Sequence, residues 1–235
     1  MGTLKRFYRN VLQNRLAFIS GSNSDRIHTL EWESHLATAK YGDFALTEAV
    51  RPALNPAIIP VQGYKYDRLP LLPNRNMPRW LAPTLVVSIS AEKLFETFLD
   101  LLDPLGDTVD TALETSHCYA TMRSMDLYRE HIDLPVLKSF LYEHETLLLN
   151  DGCAGISVFS HDMNAEVRFD EHKLLIVRAK SLLPFERILH WHGIMRNESM
   201  PLLSDAEHVH ITRDEYFYQL KALSVLLGMD EGYMS

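Results

Sequence analysis

The chain predicts an α+β fold, a two-layer domain with a mixed, mainly antiparallel sheet and helices packed mostly on one face. Three observations carry this. A strand running into an amphipathic helix recurs at Leu85–Leu99, Leu174–Leu189 and His208–Leu220, and aligning Phe95, Phe185 and Phe217 brings Val87, Val177 and Val209 into line. Three short strands between residues 156 and 179 are separated only by polar turns, as in an antiparallel meander. The element order β-α-β-α-β-β-β-α-β-α lacks the regular alternation of a parallel doubly wound sheet.

Residues 1–50 read as an N-terminal helical arm. Lys5, Arg6, Arg9 and Arg15 precede the first acid, Asp25, and Leu4, Phe7, Val11, Leu12, Leu16 and Ile19 share one helical stripe. Such a stripe packs on the domain or on a partner subunit. With Ser20, Ser22 and Ser24 behind it, it also fits an organellar targeting segment. Residues 51–83 follow as a Pro-rich extended connector. Seven of the 11 prolines lie between Pro52 and Pro83, each removing a backbone donor and disfavouring helix at the preceding residue. Ile58, Ile59, Val61, Tyr64, Tyr66 and Trp80 are too apolar for a solvated linker, so the connector is expected to lie across a protein surface.

Residues 84–235 carry the α+β domain. A strand at 85–90 meets Ser90, an N-cap residue type, before a helix with Leu94, Phe95, Phe98, Leu101 and Leu102 on one face and a stop at Asp103-Pro104. Residues 108–115 alternate apolar and polar positions, as a half-buried strand does. Asp133 and Pro135 open a helix carrying Leu137, Phe140, Leu141, His144 and Leu148, and Gly152 closes it in a left-handed conformation. Strands at 156–160, 166–169 and 174–179 turn at 161–164 and 170–173. A helix at 183–192 follows, with Ser181 as its cap. The last unit is a strand at 208–211, a Thr212–Glu215 capping box and a helix burying Phe217, Leu220, Leu223 and Leu227.

The formal charge of -8 argues against a nucleic-acid partner. Two cysteines, Cys118 and Cys153, exclude a disulfide framework and a four-thiolate zinc site, and they favour a reducing, cytoplasmic setting. No apolar run approaches the roughly 20 residues that span a bilayer, so no membrane partner is expected. There is no P-loop, no glycine-rich dinucleotide turn, no nucleophile elbow and no H-E-x-x-H.

Histidine is the chemically interesting residue type, with 11 in the chain. His208 and His210, two apart on a strand, project to one side of the sheet, where two imidazoles can share an ion. Glu114 and His117 end another strand, and His172 sits in a turn. Together these five are the candidate ligands for a divalent transition metal held by nitrogen and oxygen. His190 and His192, two apart near a helix C-terminus, do not share a face and suit the helix dipole instead. Asp170, Glu171, His172 and Lys173 have the composition of an exposed turn, and Cys153 that of a small buried thiol. The missing catalytic signatures and the apolar arm point first to a non-catalytic binding or regulatory module that self-associates into a homo-oligomer around an unidentified small-molecule ligand. The alternative is a metal-dependent enzyme, of hydrolase type, centred on His208 and His210.

Overall fold

The structure, a computed structural model, describes residues 6–9, 31, 33–53, 58–68, 82–117 and 125–231. In chain order its strands are β1 (Arg6–Arg9), β2 (Lys40–Tyr41), β3 (Phe44–Ala45), β4 (Val50–Pro52), β5 (Gly63–Arg68), β6 (Thr84–Ser88), β7 (Thr108–Thr115), β8 (Met125–Asp133), β9 (Ala154–Ser160), β10 (Ala165–Phe169), β11 (Leu174–Ala179), β12 (His208–Thr212) and β13 (Asp230–Glu231). The helices are α1 (Ala91–Leu101), α2 (Leu134–Glu143), α3 (Glu145–Asn150), α4 (Leu183–Trp191) and α5 (Asp214–Leu226).

Eight strands form one sheet in the order β13-β8-β7-β9-β10-β11-β6-β5, every neighbouring pair antiparallel. β9, β10 and β11 are the expected meander. Strand alternation decides which residues face the helices: Ile156 and Val158, Val167 and Phe169, Leu175 and Val177, and Leu85 and Val87 are all buried in one apolar cluster. That cluster takes in residues from α1 through α5, among them Phe98, Leu137, Leu147, Leu189 and Leu220. One face of the sheet therefore carries the helical layer, as the sequence predicts. Phe98, fully buried, meets Phe169 edge to face at 5.2 Å between centroids. Removing one such side chain from water is worth about 2–3 kcal/mol. The opposite face carries charge pairs, Glu114 with Arg168 and Glu166 with Arg178.

A second, three-stranded sheet positions the candidate site. β12 lies at its centre, parallel to β1 and antiparallel to β4. The turn before β9 is stitched to it: Gly152 N–H donates to Ile211 O at 2.8 Å, and Ile211 N–H donates to Ala49 O at 2.7 Å. A Cβ on Gly152 would meet Ala49 O at 2.4 Å and the Ile211 backbone O and N at 2.8 and 2.9 Å. Close backbone approach, and not the left-handed helix stop expected from the sequence, requires glycine here, because Gly152 is not among the residues with positive φ.

Several local expectations are corrected. β8 is a strand the sequence pattern did not reveal, since a register shift opposite Val109 and Thr111 and a positive φ of 55 at His131 break its alternation. The predicted helix 134–150 is two helices, broken at His144, whose backbone leaves the helical region at φ -116, ψ 20. Ser90 does occupy the N-cap of α1, but its hydroxyl accepts from Ala45 N–H at 3.0 Å and donates to Glu92, so it ties the β2–β3 hairpin to the helix start. Leu182, not Ser181, is the N-cap of α4. The Thr212–Glu215 box does not form: α5 is capped at Arg213, and the buried Thr212 hydroxyl finds no partner among the described residues. Phe217 is half-exposed, and Tyr216 takes the buried place, so the third strand-helix unit is out of phase with the other two. The apolar stripe of the arm lies, beyond β1, outside the described residues. Among the described residues no helix is long and apolar enough to cross a membrane.

Candidate metal centre

The alternation of a strand places His208 and His210 on one side of β12, and both are buried, at 2% and 1% exposure. The β10–β11 turn brings His172 to the same point. The three ring centroids form a nearly equilateral triangle with sides of 4.9, 4.9 and 5.0 Å. One ring nitrogen from each lies within 4.8 Å of the other two.

Each ring is held by its Nδ1. His208 Nδ1 lies 2.7 Å from Ala206 O, and His210 Nδ1 lies 2.6 Å from Gly152 O. A carbonyl oxygen only accepts, so both Nδ1 atoms carry the proton. His172 Nδ1 donates to Asp170 Oδ2 at 2.9 Å. Every one of the three imidazoles thus has the outer hydrogen bond, to carbonyl or carboxylate, that fixes tautomer and orientation in metal-ligating histidines. Nε2 is then the nitrogen that each can offer to an ion. His208 Nε2 and His210 Nε2 stand 3.1 Å apart. Two ligand nitrogens on a tetrahedral zinc, each at 2.0–2.1 Å, stand about 3.3 Å apart.

Asp170 is a fixture of the turn. Its Oδ1 accepts from the backbone N–H of His172 and of Leu174, both at 2.9 Å. Burial alone would raise its carboxyl, but the His172 hydrogen bond and charge, the Leu174 N–H and Arg168 outweigh burial and hold it below the ordinary carboxylate range. Lys173, at φ 62, turns inward, donates to Ala154 O at 3.0 Å and lies over the Phe169 ring at 5.2 Å. Burial pushes its ammonium down to about 8, against the upward pull of Asp151, Asp170, Glu171 and Cys153. His210 is pushed down to about 4, first by burial and then by the charge of His172. His172 and Lys173 also line a cavity of about 30 Å³ whose other walls include Phe44, Leu46, Ile89 and Leu174. It has room for a water molecule or two.

The remaining sequence candidates sit elsewhere. His117, just beyond β7, donates through Nε2 to Asp151 Oδ2 at 2.7 Å, beside Cys153. Glu114 stays with Ser157 and Arg168 on the far face of the sheet. His190 and His192 diverge, the first to the Tyr64 hydroxyl and the second to Asp100. Sequence reasoning missed Asp170, Asp151 and Lys173 as parts of a buried polar cluster. The one available signal for Asp170 was its place two residues before His172, the spacing at which a turn aspartate bonds back to its own chain. No protein-family model, no curated protein and no solved structure matches this chain.

Proposed function

We propose that the protein is a metal-dependent hydrolase in which His172, His208 and His210 hold a divalent transition metal of the zinc class. The observation that carries this reading is the convergence of three imidazoles whose Nδ1 atoms are all engaged by outer acceptors. Three neutral histidines with one remaining position are the composition of catalytic zinc sites, whereas structural zinc sites are closed by four protein ligands, usually including cysteine. The electrostatics favour the same occupant. Asp151, Asp170 and Glu171 surround the ammonium of Lys173, with Arg168 a further cation acting on Asp170, and a dication would compensate the remaining negative charge where an uncompensated buried charge is costly. A metal here supplies a water of lowered pKa for attack on a carbonyl or phosphoryl centre.

The test is elemental analysis and zinc titration of the purified protein, followed by hydrolysis of chromogenic ester and phosphoester substrates. The double variant His208→Ala/His210→Ala is expected to lose a stoichiometric metal and the hydrolytic activity together. No metal in the purified protein and no uptake on titration overturns the reading. Metal bound with no turnover in either assay leaves a structural ion and removes the hydrolase.

A non-catalytic, self-associating module is the second reading, with cytoplasmic residence common to both. The exposed apolar side chains on and just after α4, Leu183, Trp191 and Met195, are the observation that favours it, as exposed apolar surface available for association. A monomeric mass in light scattering removes it.

A further inference from the structure

The residues that flank Gly152 form a second constellation. Asp151 and Cys153 straddle it in the turn before β9, and His117 reaches them from just beyond β7. Asp151 is fully buried, Cys153 is 1% exposed, and the His117 side chain is 5% exposed. One donor atom from each lies within 4.8 Å of the others. We propose that His117, Asp151 and Cys153 form a second metal subsite, of mixed nitrogen, oxygen and sulfur character, that takes a zinc-class ion independently of the three-histidine centre.

Three physical points carry it. The donors flank the end of a ladder: Thr115 pairs with Ala154, and Ser116 N–H donates to Cys153 O at 2.9 Å. Rigid elements hold ligands to the tolerances that coordination needs. The donor set mixes soft thiolate, borderline imidazole and hard carboxylate, a combination that zinc accepts and that calcium and magnesium do not. The carboxylate is itself oriented, with Asp151 Oδ1 accepting from Cys153 N–H at 3.1 Å while Oδ2 faces His117 Nε2. A hydrogen-bonding proton links those two atoms at 2.7 Å, and exchanging it for a metal opens them by about 0.6 Å. Binding releases the thiol proton to solvent, and His117 takes the neutral tautomer protonated at Nδ1 so that Nε2 can ligate. Phe217 packs edge-on against the His117 ring at 5.6 Å and shields this side.

The experiment is cobalt(II) titration of the full chain, read by absorption. A thiolate on cobalt gives an intense charge-transfer band in the near ultraviolet that imidazole and carboxylate ligands do not give. The band is expected in the wild type and in His208→Ala/His210→Ala, and is expected to vanish in Cys153→Ser and in His117→Asn. Circular dichroism of each variant shows whether it folds. Where Cys153→Ser does not fold, His117→Asn, which keeps the thiol, decides. No charge-transfer band in the wild type, or a band that persists in folded Cys153→Ser, overturns the proposal. Loss of one equivalent of cobalt uptake in the β12 double variant with the band retained speaks only to the three-histidine centre, so the failure of either site is read separately.

Discussion

His208 and His210 face each other through Nε2 at 3.1 Å while each Nδ1 donates to a backbone carbonyl. A neutral imidazole carries one proton, so two lone pairs converge there, a contact that a shared cation converts from repulsion to attraction. Burial disfavours a proton in that role, since His210 is pushed down to about 4. A metal ion held as proposed would fulfil the same role with three ligands.

Replacing Asp170 with Asn is expected to weaken metal binding about 10- to 100-fold, the usual effect of losing an outer-shell partner. Competition titration against a chelator of known affinity measures it. An unchanged affinity would mean that Asp170 serves only the turn, where it also holds the His172 and Leu174 N–H groups.

Acid stability follows from His210. The unfolded side chain takes up a proton near pH 6.5 and the folded one near 4. Between these values the unfolded state binds more protons, so stability is full above pH 6.5 and falls as the pH drops toward 4. Chemical denaturation of the metal-free protein at a series of pH values should show this loss, and His210→Phe should flatten it.

Lys173 acts at the other end of the scale. Its proton is held to about pH 10.5 when unfolded and about 8 when folded, so stability rises with pH across the interval between them. The gain is up to ~3 kcal/mol. Above pH 10 the raised phenols of Tyr64 and Tyr66 oppose it. Lys173→Met should remove the alkaline rise in a denaturation series.

Gly152→Ala is expected to destabilise by about 3 kcal/mol or more, because the three nearest atoms are backbone and none can swing aside. It should also weaken metal binding, since the Gly152 carbonyl supports His210. A thermal melt and a zinc titration of the same variant read both.

Thr212→Val should be neutral or stabilising by about 1 kcal/mol. The Thr212 hydroxyl is buried with no hydrogen-bond partner among the described residues, and an apolar group of the same shape avoids that desolvation cost. A loss of stability would reveal a partner beyond those residues.

The helical layer, the meander and the shared side of His208 and His210 were legible because each rests on local periodicity. The convergence of His172 on β12 was not, since it depends on how the β10–β11 turn meets a strand some forty residues later. β8 was hidden by its bulge. The capping box at Thr212 and the Phe217 anchor failed for one reason: tertiary packing started the helix at Asp214 and buried Tyr216, and tertiary context overrides local preference of this size. Asp151 and Asp170 read as turn residues because burial of a turn carboxylate is invisible without the partners that satisfy it.

The place of β12 in the chain sets a timetable. The strands of the large sheet from β6 to β11 are complete by Ala179, whereas two of the three imidazoles arrive only at His208 and His210. At synthesis rates of roughly 5–20 residues per second, His172 is made seconds before its companions. On the proposed reading, a nascent chain could not assemble this centre until β12 has emerged, so metal loading would follow the synthesis of the β6–β11 strands.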